Sequence, residues 1–225
     1  MTYVISDLHG NDKRFMDILS QINLQSDDTL YIIGDVIDRG PGGVFMLEHI
    51  KNQENMILLA GNHEDMMLQA LGARPAIRSD MMDIWMNNGG AFTLNAFEEL
   101  NPERQKDLLD WLNQLPEYLD ITVNNQRYML VHASPSTTRF DRLWERINPM
   151  FFRPVPGKII IFGHTPCCYM HPVLDRYFRN CGKHIRIEKN KDWIDIDCGC
   201  GLSHIRQACL GCLRLDDMME YYSTI

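Results

Sequence analysis

Hydrophobic residues in this chain gather in short runs, and five of those runs stop abruptly at a polar residue suited to holding a cation. Tyr3-Val4-Ile5 leads to Asp7 and His9, and Leu30-Tyr31-Ile32-Ile33 leads to Gly34-Asp35. Met56-Ile57-Leu58-Leu59-Ala60 leads to Gly61-Asn62-His63, Tyr128-Met129-Leu130-Val131 to His132, and Ile159-Ile160-Ile161-Phe162 to Gly163-His164. Continuous apolar runs of this length predict strands buried on both faces. In open α/β sheets, ligands collect just beyond the carboxyl ends of such strands. The five polar ends can therefore face one point.

Between the runs the apolar period lengthens. Phe15, Ile18, Leu19 and Ile22 recur at the spacing of one buried helical face, with Asn11 placed as its N-cap. Asn101-Pro102-Glu103 joins a cap to a proline at the first helical position, and Leu108, Trp111, Leu112 and Leu115 form the stripe that follows. Residues 65–119 read as mostly helical, broken at Asn88-Gly89-Gly90. We take 65–120 as a cap-like insertion within one domain spanning 1–225. Nearer the end, Trp193 to Cys198 and Cys212 to Asp216 alternate apolar and polar, the period of half-exposed, antiparallel strands. The elements together predict an α/β fold of two packed sheets.

Composition narrows the class. At 45% hydrophobic and 23% charged, the 225 residues match a soluble globular chain and exclude disorder or fibre. No apolar run approaches the roughly 20 residues of a membrane helix. The opening Met1 to Asp7 lacks a basic flank and meets an acid too early for a secretory signal, so a cytoplasmic protein is expected. Thirty acidic against 22 basic residues give −8, a field that disfavours nucleic acid and anionic membranes as partners. The odd count of seven cysteines implies reduced thiols, and the 14 methionines read chiefly as adaptable core filler. Oligomeric state is not legible.

Taken together, Asp7, His9, Asp35, Asn62, His132 and His164 offer carboxylate, imidazole and amide oxygen, without a thiolate. That set suits manganese first, with iron or zinc also accepted. Singly, each has an ordinary explanation: a histidine after a strand is usually hydrogen-bonded, and an aspartate there usually forms a turn. Their conjunction at consecutive strand ends points instead to a two-metal site with one carboxylate shared, the arrangement that clamps attacking and leaving oxygens at phosphorus. Two divalent cations, less two carboxylates and a hydroxide, leave roughly +1 in an acidic protein, a pocket for a phosphate.

Asp7-Leu8-His9-Gly10, Gly34-Asp35-Val36-Ile37-Asp38-Arg39-Gly40, Gly61-Asn62-His63-Glu64, Val131-His132-Ala133 and Gly163-His164-Thr165 resemble the signature of the PPP-type serine/threonine phosphatases, within the calcineurin-like metallophosphoesterases. The likeness extends from residue 3 to about 215 and is greater to the small bacterial and phage members. It implies a four-layer metallophosphoesterase sandwich, two mixed sheets flanked by helices. By the same resemblance Asp7 and His9 hold one metal, Asp35 bridges, and Asn62, His132 and His164 hold the second. A bridging hydroxide then attacks in line, Arg39 clamps phosphate oxygens, His63 protonates the leaving alkoxide, and Asp38 fixes its tautomer. Leu143-Trp144-Glu145-Arg146 is similar to the family's Leu-Trp segment and makes Arg146 the candidate second phosphate-binding arginine, with Arg142 nearby.

These readings predict a metal-dependent phosphomonoesterase acting on phosphoserine or phosphothreonine in proteins, or on small phosphoesters. The competing reading is a dinucleoside polyphosphate hydrolase; Asp38 and Glu64 depart from the Gly-Asp-Leu-Val-Ala-Arg-Gly and Gly-Asn-His-Asp segments of such enzymes. A third reading makes the chain a non-catalytic module in which Cys198, Cys200, Cys209 and Cys212 hold zinc or sense redox. Their spacing is not a common zinc pattern, and buried small hydrophobes are the plainer expectation. Cys167-Cys168 can line the site's mouth. His49, His171, His184 and His204 fall outside the motifs, and Trp85 is expected in the core or at the substrate rim. Specificity is expected to lie in 65–120 and the rim loops.

Overall fold

The computed structural model describes residues 1–225 apart from the side chain of Asp175. Two five-stranded mixed sheets form, as the apolar runs require. The first has the order β10-β9-β1-β2-β3, with β1 at Thr2–Ile5, β2 at Thr29–Ile32, β3 at Met56–Leu58, β9 at Gly211–Arg214 and β10 at Met219–Tyr222. The second has the order β4-β5-β6-β8-β7, with β4 at Tyr118–Val123, β5 at Gln126–Val131, β6 at Ile159–Phe162, β7 at Glu188–Lys189 and β8 at Trp193–Asp195. Strands β1, β2 and β3 run parallel, as do β5, β6 and β8; the remaining pairs are antiparallel.

The period of two divides each strand between layers. Val4, Ile33, Leu130, Ile161, Ile194 and Leu213 fill the space between the sheets. Tyr3, Ile5, Leu30 and Ile32 point the other way, onto helices α1 (Asp12–Ile22) and α2 (Gly43–Lys51). Met129, Val131, Ile160, Phe162 and Trp193 make the second sheet's outer face, covered by Ile147, Phe152 and Val155 from the 145–157 loop. Helices α3 (Asn62–Ala70), α4 (Met81–Asn87), α5 (Ala91–Glu98) and α6 (Pro102–Asn113) bring Met66, Trp85, Phe97 and Leu108 into the same cluster as β1 and β2. Two shorter helices complete the chain, α7 (Arg139–Trp144) and α8 (Leu174–Asn180).

Local readings fare unevenly. Asn101 caps α6 as its sequence predicts, accepting from the Arg104 N–H at 2.9 Å. Asn11 precedes α1 but makes no cap bond; its amide donates instead to the carbonyls of His9 (3.2 Å) and Cys200 (3.3 Å), tying two loops together. The alternation at Trp193–Cys198 does not mark a half-exposed strand, although the strand it marks is antiparallel to β7. β8 is wholly buried and pairs in parallel with β6. Its polar positions, Asp195 and Asp197, are buried at the sheet end rather than in solvent.

Candidate metal centre

The first, second and fifth runs end where the backbone turns sharply, and the turns use conformations that L residues avoid. Asp7, His9, Asp35, Asp38, Arg39 and His164 all have positive φ, six of the ten such non-glycine residues. Each costs on the order of 1–3 kcal/mol and persists only because its surroundings fix it. Glu64, buried in the first turn of α3, supplies much of that fixing: its carboxylate accepts from the N–H groups of Asp35 (2.9 Å), Val36 (2.8 Å) and Gly61 (3.0 Å). Gly34 lies so close to Gly61 and His132 that a Cβ would sit 2.6 Å from the Gly61 Cα, and its φ of +89° suits glycine alone.

The six candidate ligands converge. Asp35 is 3.8 Å from His9 Nε2 through Oδ2 and 3.4 Å from His132 Nε2 through Oδ1, so its carboxylate stands between two groups. Asp7 Oδ1 lies 3.9 Å from His9 Nε2. On the other side, Asn62 Oδ1 is 2.9 Å from both His132 Nε2 and His164 Nδ1. Metal–ligand bonds of ~2.0–2.2 Å place neighbouring ligand atoms roughly 3–3.6 Å apart in a tetrahedral or octahedral shell. The donor separations, 2.9–3.9 Å, bracket that spacing, so the residues fit a pair of cations with Asp35 placed between them.

Each imidazole is turned by a carbonyl behind it. His9 Nδ1 donates to Ile37 O (3.3 Å), His132 Nδ1 to Ile33 O (2.8 Å) and His164 Nε2 to Trp144 O (3.2 Å). A carbonyl only accepts, so the opposite nitrogen keeps its lone pair and faces the site. Burial also favours the neutral ring: it holds His9 well below the usual histidine range, and with His132 and Arg146 it pushes His164 down to about 2. Burial pushes the Asp35 carboxyl up to about 8, opposed by His63 and reinforced by Asp7. A buried carboxylate of that kind calls for a cation or a proton.

His63 also stands 3.8 Å from Asp35, but its ring is held otherwise. Nδ1 meets Asp38 Oδ2 at 2.6 Å, and Arg39 Nη2 donates to Nε2 at 3.1 Å. Asp38 is fully buried and accepts further bonds from Thr93 Oγ1 (2.6 Å) and Trp85 Nε1 (2.9 Å). A cavity of about 350 Å³ brings His63, Arg39 and Arg146 together above the ligands, with Trp144 and Tyr169 at its mouth. Arg146 is fixed at its edge by bonds to His164 O (3.1 Å) and Thr165 Oγ1 (3.3 Å). Arg142 is turned away, bound to Glu117 and to the carbonyls of Ser136 and Thr137.

Several residues here escape a reading of the sequence. Asp197 lines the cavity and Asp195 lies behind it, its Oδ2 buried without a partner; burial and the neighbouring carboxylates push both well above the carboxylate range. The alternating pattern placed both in solvent. Trp85 belongs to the core, as one of its two expectations had it, yet also bonds Asp38. Among the described residues, the clusters able to hold a metal are His9–Asp35–His63 and Asp35–His132–His164, and neither includes a cysteine. Cys198, Cys200, Cys209 and Cys212 are free, buried thiols, and Cys167 and Cys168 lie beneath the mouth rather than at its surface. His204 is exposed.

Comparison with known proteins places this geometry. A family model, calcineurin-like phosphoesterase, matches residues 2–182. The chain is 31% identical over 181 residues to serine/threonine-protein phosphatase 2 of Escherichia coli K12, covering 72% of this chain and 78% of that protein. It is 32% identical over 141 residues to the symmetrical bis(5'-nucleosyl)-tetraphosphatase of Paracidovorax citrulli, covering 60% of this chain and 45% of that protein. The fold also matches the crystal structure of a metallophosphoesterase from Sphaerobacter thermophilus, with a TM-score of 0.56 at 19% identity over 100% of this chain and 87% of that one.

Proposed function

The chain belongs to the calcineurin-like phosphoesterase family, and from that premise we propose that it is a two-metal phosphomonoesterase for phosphoserine, phosphothreonine or small phosphoesters. The observation that carries this reading is the 2.6 Å pair between His63 Nδ1 and Asp38, set beside the shared carboxylate of Asp35. A single phosphate between Arg39, Arg146 and the ligand cluster has its ester oxygen within reach of that imidazole.

Asp7, His9, Asp35, Asn62, His132 and His164 would hold the two cations, manganese foremost. When bound, the pair supplies positive charge for the phosphate oxygens and an acidified water for in-line attack. The protein's own groups do the rest. Arg39 and Arg146 orient the phosphate and meet the charge that builds on it. His63 delivers a proton to the departing alkoxide, and Asp38 keeps the ring turned with Nε2 toward the substrate. Arg39 now occupies that nitrogen, so an arriving phosphate must draw the guanidinium onto itself before His63 can act.

Initial rates on manganese-loaded protein with a phosphoserine peptide, an aryl phosphate and diadenosine tetraphosphate test the assignment. Phosphomonoesters are expected to be turned over at least tenfold faster than the dinucleotide; the reverse order overturns it in favour of tetraphosphate hydrolysis. We read the protein as cytoplasmic, since seven free thiols fit a reducing compartment. No helix among the described residues is long and apolar enough to cross a membrane.

A further inference from the structure

Next to the catalytic cavity, and sharing Arg146 with it, lies a trough of about 530 Å³. Pro135, Ile147, Phe151, Phe152 and Val155 wall it. Ile147, Phe152 and Val155 are fixed from beneath by the second sheet's outer face, while Phe151 stands at the rim, 76% exposed, beside Met150 at 84%. Large exposed apolar groups clustered at a cavity edge mark a binding surface. Arg146 is the boundary: bonded to the His164 carbonyl, it faces the reacting phosphate on one side and the trough on the other.

We propose that the trough seats an apolar side chain of a polypeptide substrate, close to the phosphorylated residue whose phosphate meets Arg146. The inference rests on the phosphomonoesterase reading and names its substrate class. The two serine hydroxyls of the trough are already committed. Ser134 Oγ donates to Glu145 at 2.6 Å, and Ser136 Oγ donates to Asp141 at 3.1 Å. A leucine or phenylalanine side chain matches the five apolar walls and asks for no hydrogen-bond partner. The volume lies within the roughly 300–1,000 Å³ typical of binding pockets. Arg153, at the outer end, favours an acidic residue further along the peptide.

The test uses the manganese-loaded full chain and phosphoserine peptides that differ only in Phe, Leu or Ser at each position from two before to two after the phosphoserine. At one of these positions Phe and Leu are expected to raise kcat/KM about tenfold or more over Ser, chiefly through KM. In Phe151→Ser, an exposed substitution that leaves the core alone, the same ratio is expected to fall below about threefold. Equal rates for all peptides, or a preference unaltered in Phe151→Ser, overturn the trough assignment while leaving the phosphomonoesterase reading intact. Hydrolysis of diadenosine tetraphosphate with no peptide turned over overturns both.

Discussion

Asp38 has no solvent to neutralise it, and its charge is met by His63, Thr93 and Trp85 together. That arrangement fixes the acid group of the proposed reaction and suggests two substitutions. In His63→Ala, kcat on a phosphoserine peptide is expected to fall ~10²–10⁴-fold, and less on an aryl phosphate whose leaving group needs little protonation. Equal losses on both substrates would remove His63 from the proton-donating role. Thr93→Val keeps the shape but deletes a donor to Asp38 and the acceptor of the Asp38 N–H at 3.0 Å. Chemical denaturation should show a loss of about 1.5–3 kcal/mol, with kcat lowered and KM little changed. A variant as stable and as active as the parent would mean that water takes over both bonds.

At the scale of elements, Glu64 joins the start of α3 to the loop after β2, one carboxylate serving backbone N–H groups on both. Glu64→Gln turns donors of its own toward those N–H groups, leaving about 1–3 kcal/mol per unpaired group. Manganese titration followed by calorimetry should find affinity reduced tenfold or more, because Asp35 and Asn62 lose their common anchor; unchanged affinity would assign Glu64 to stability alone. This link also shows where the sequence stops being informative. Strands β1, β2, β3, β5 and β6 and all six candidate ligands were legible because each of those apolar runs ends at its ligand, so local order carries spatial order. Asp195 and Asp197 were misplaced because alternation reports polarity, not what lies opposite, and here buried carboxylates occupy the polar phase. Asn11 was misread because its neighbours come from residue 200, and the Asp38 contacts with Thr93 and Trp85 likewise cross separations that no local period records. Six left-handed residues fall on Asp, His and Arg, where no glycine announces the turn.

For the molecule as a whole, folding and cation binding compete for the same buried charge. With burial raising Asp35 to about 8 from an ordinary 3.8, the metal-free folded chain keeps a proton that the unfolded chain releases near pH 4. The unfolded state then binds fewer protons at this group, so the contribution of Asp35 to the stability of the metal-free chain is fully present below about pH 4 and is lost as pH rises toward 8. Asp195 and Asp197, raised by burial in the same direction, steepen the decline. A cation at Asp35 replaces that proton, and its affinity grows as the proton leaves. Thermal unfolding at pH 5, 6, 7 and 8, with chelator and with saturating manganese, should therefore give a Tm gap that widens at each step. The loaded protein should vary least. A gap constant with pH would mean that Asp35 is ionised in the metal-free fold, with its charge balanced inside the protein rather than by the ions it is placed to hold.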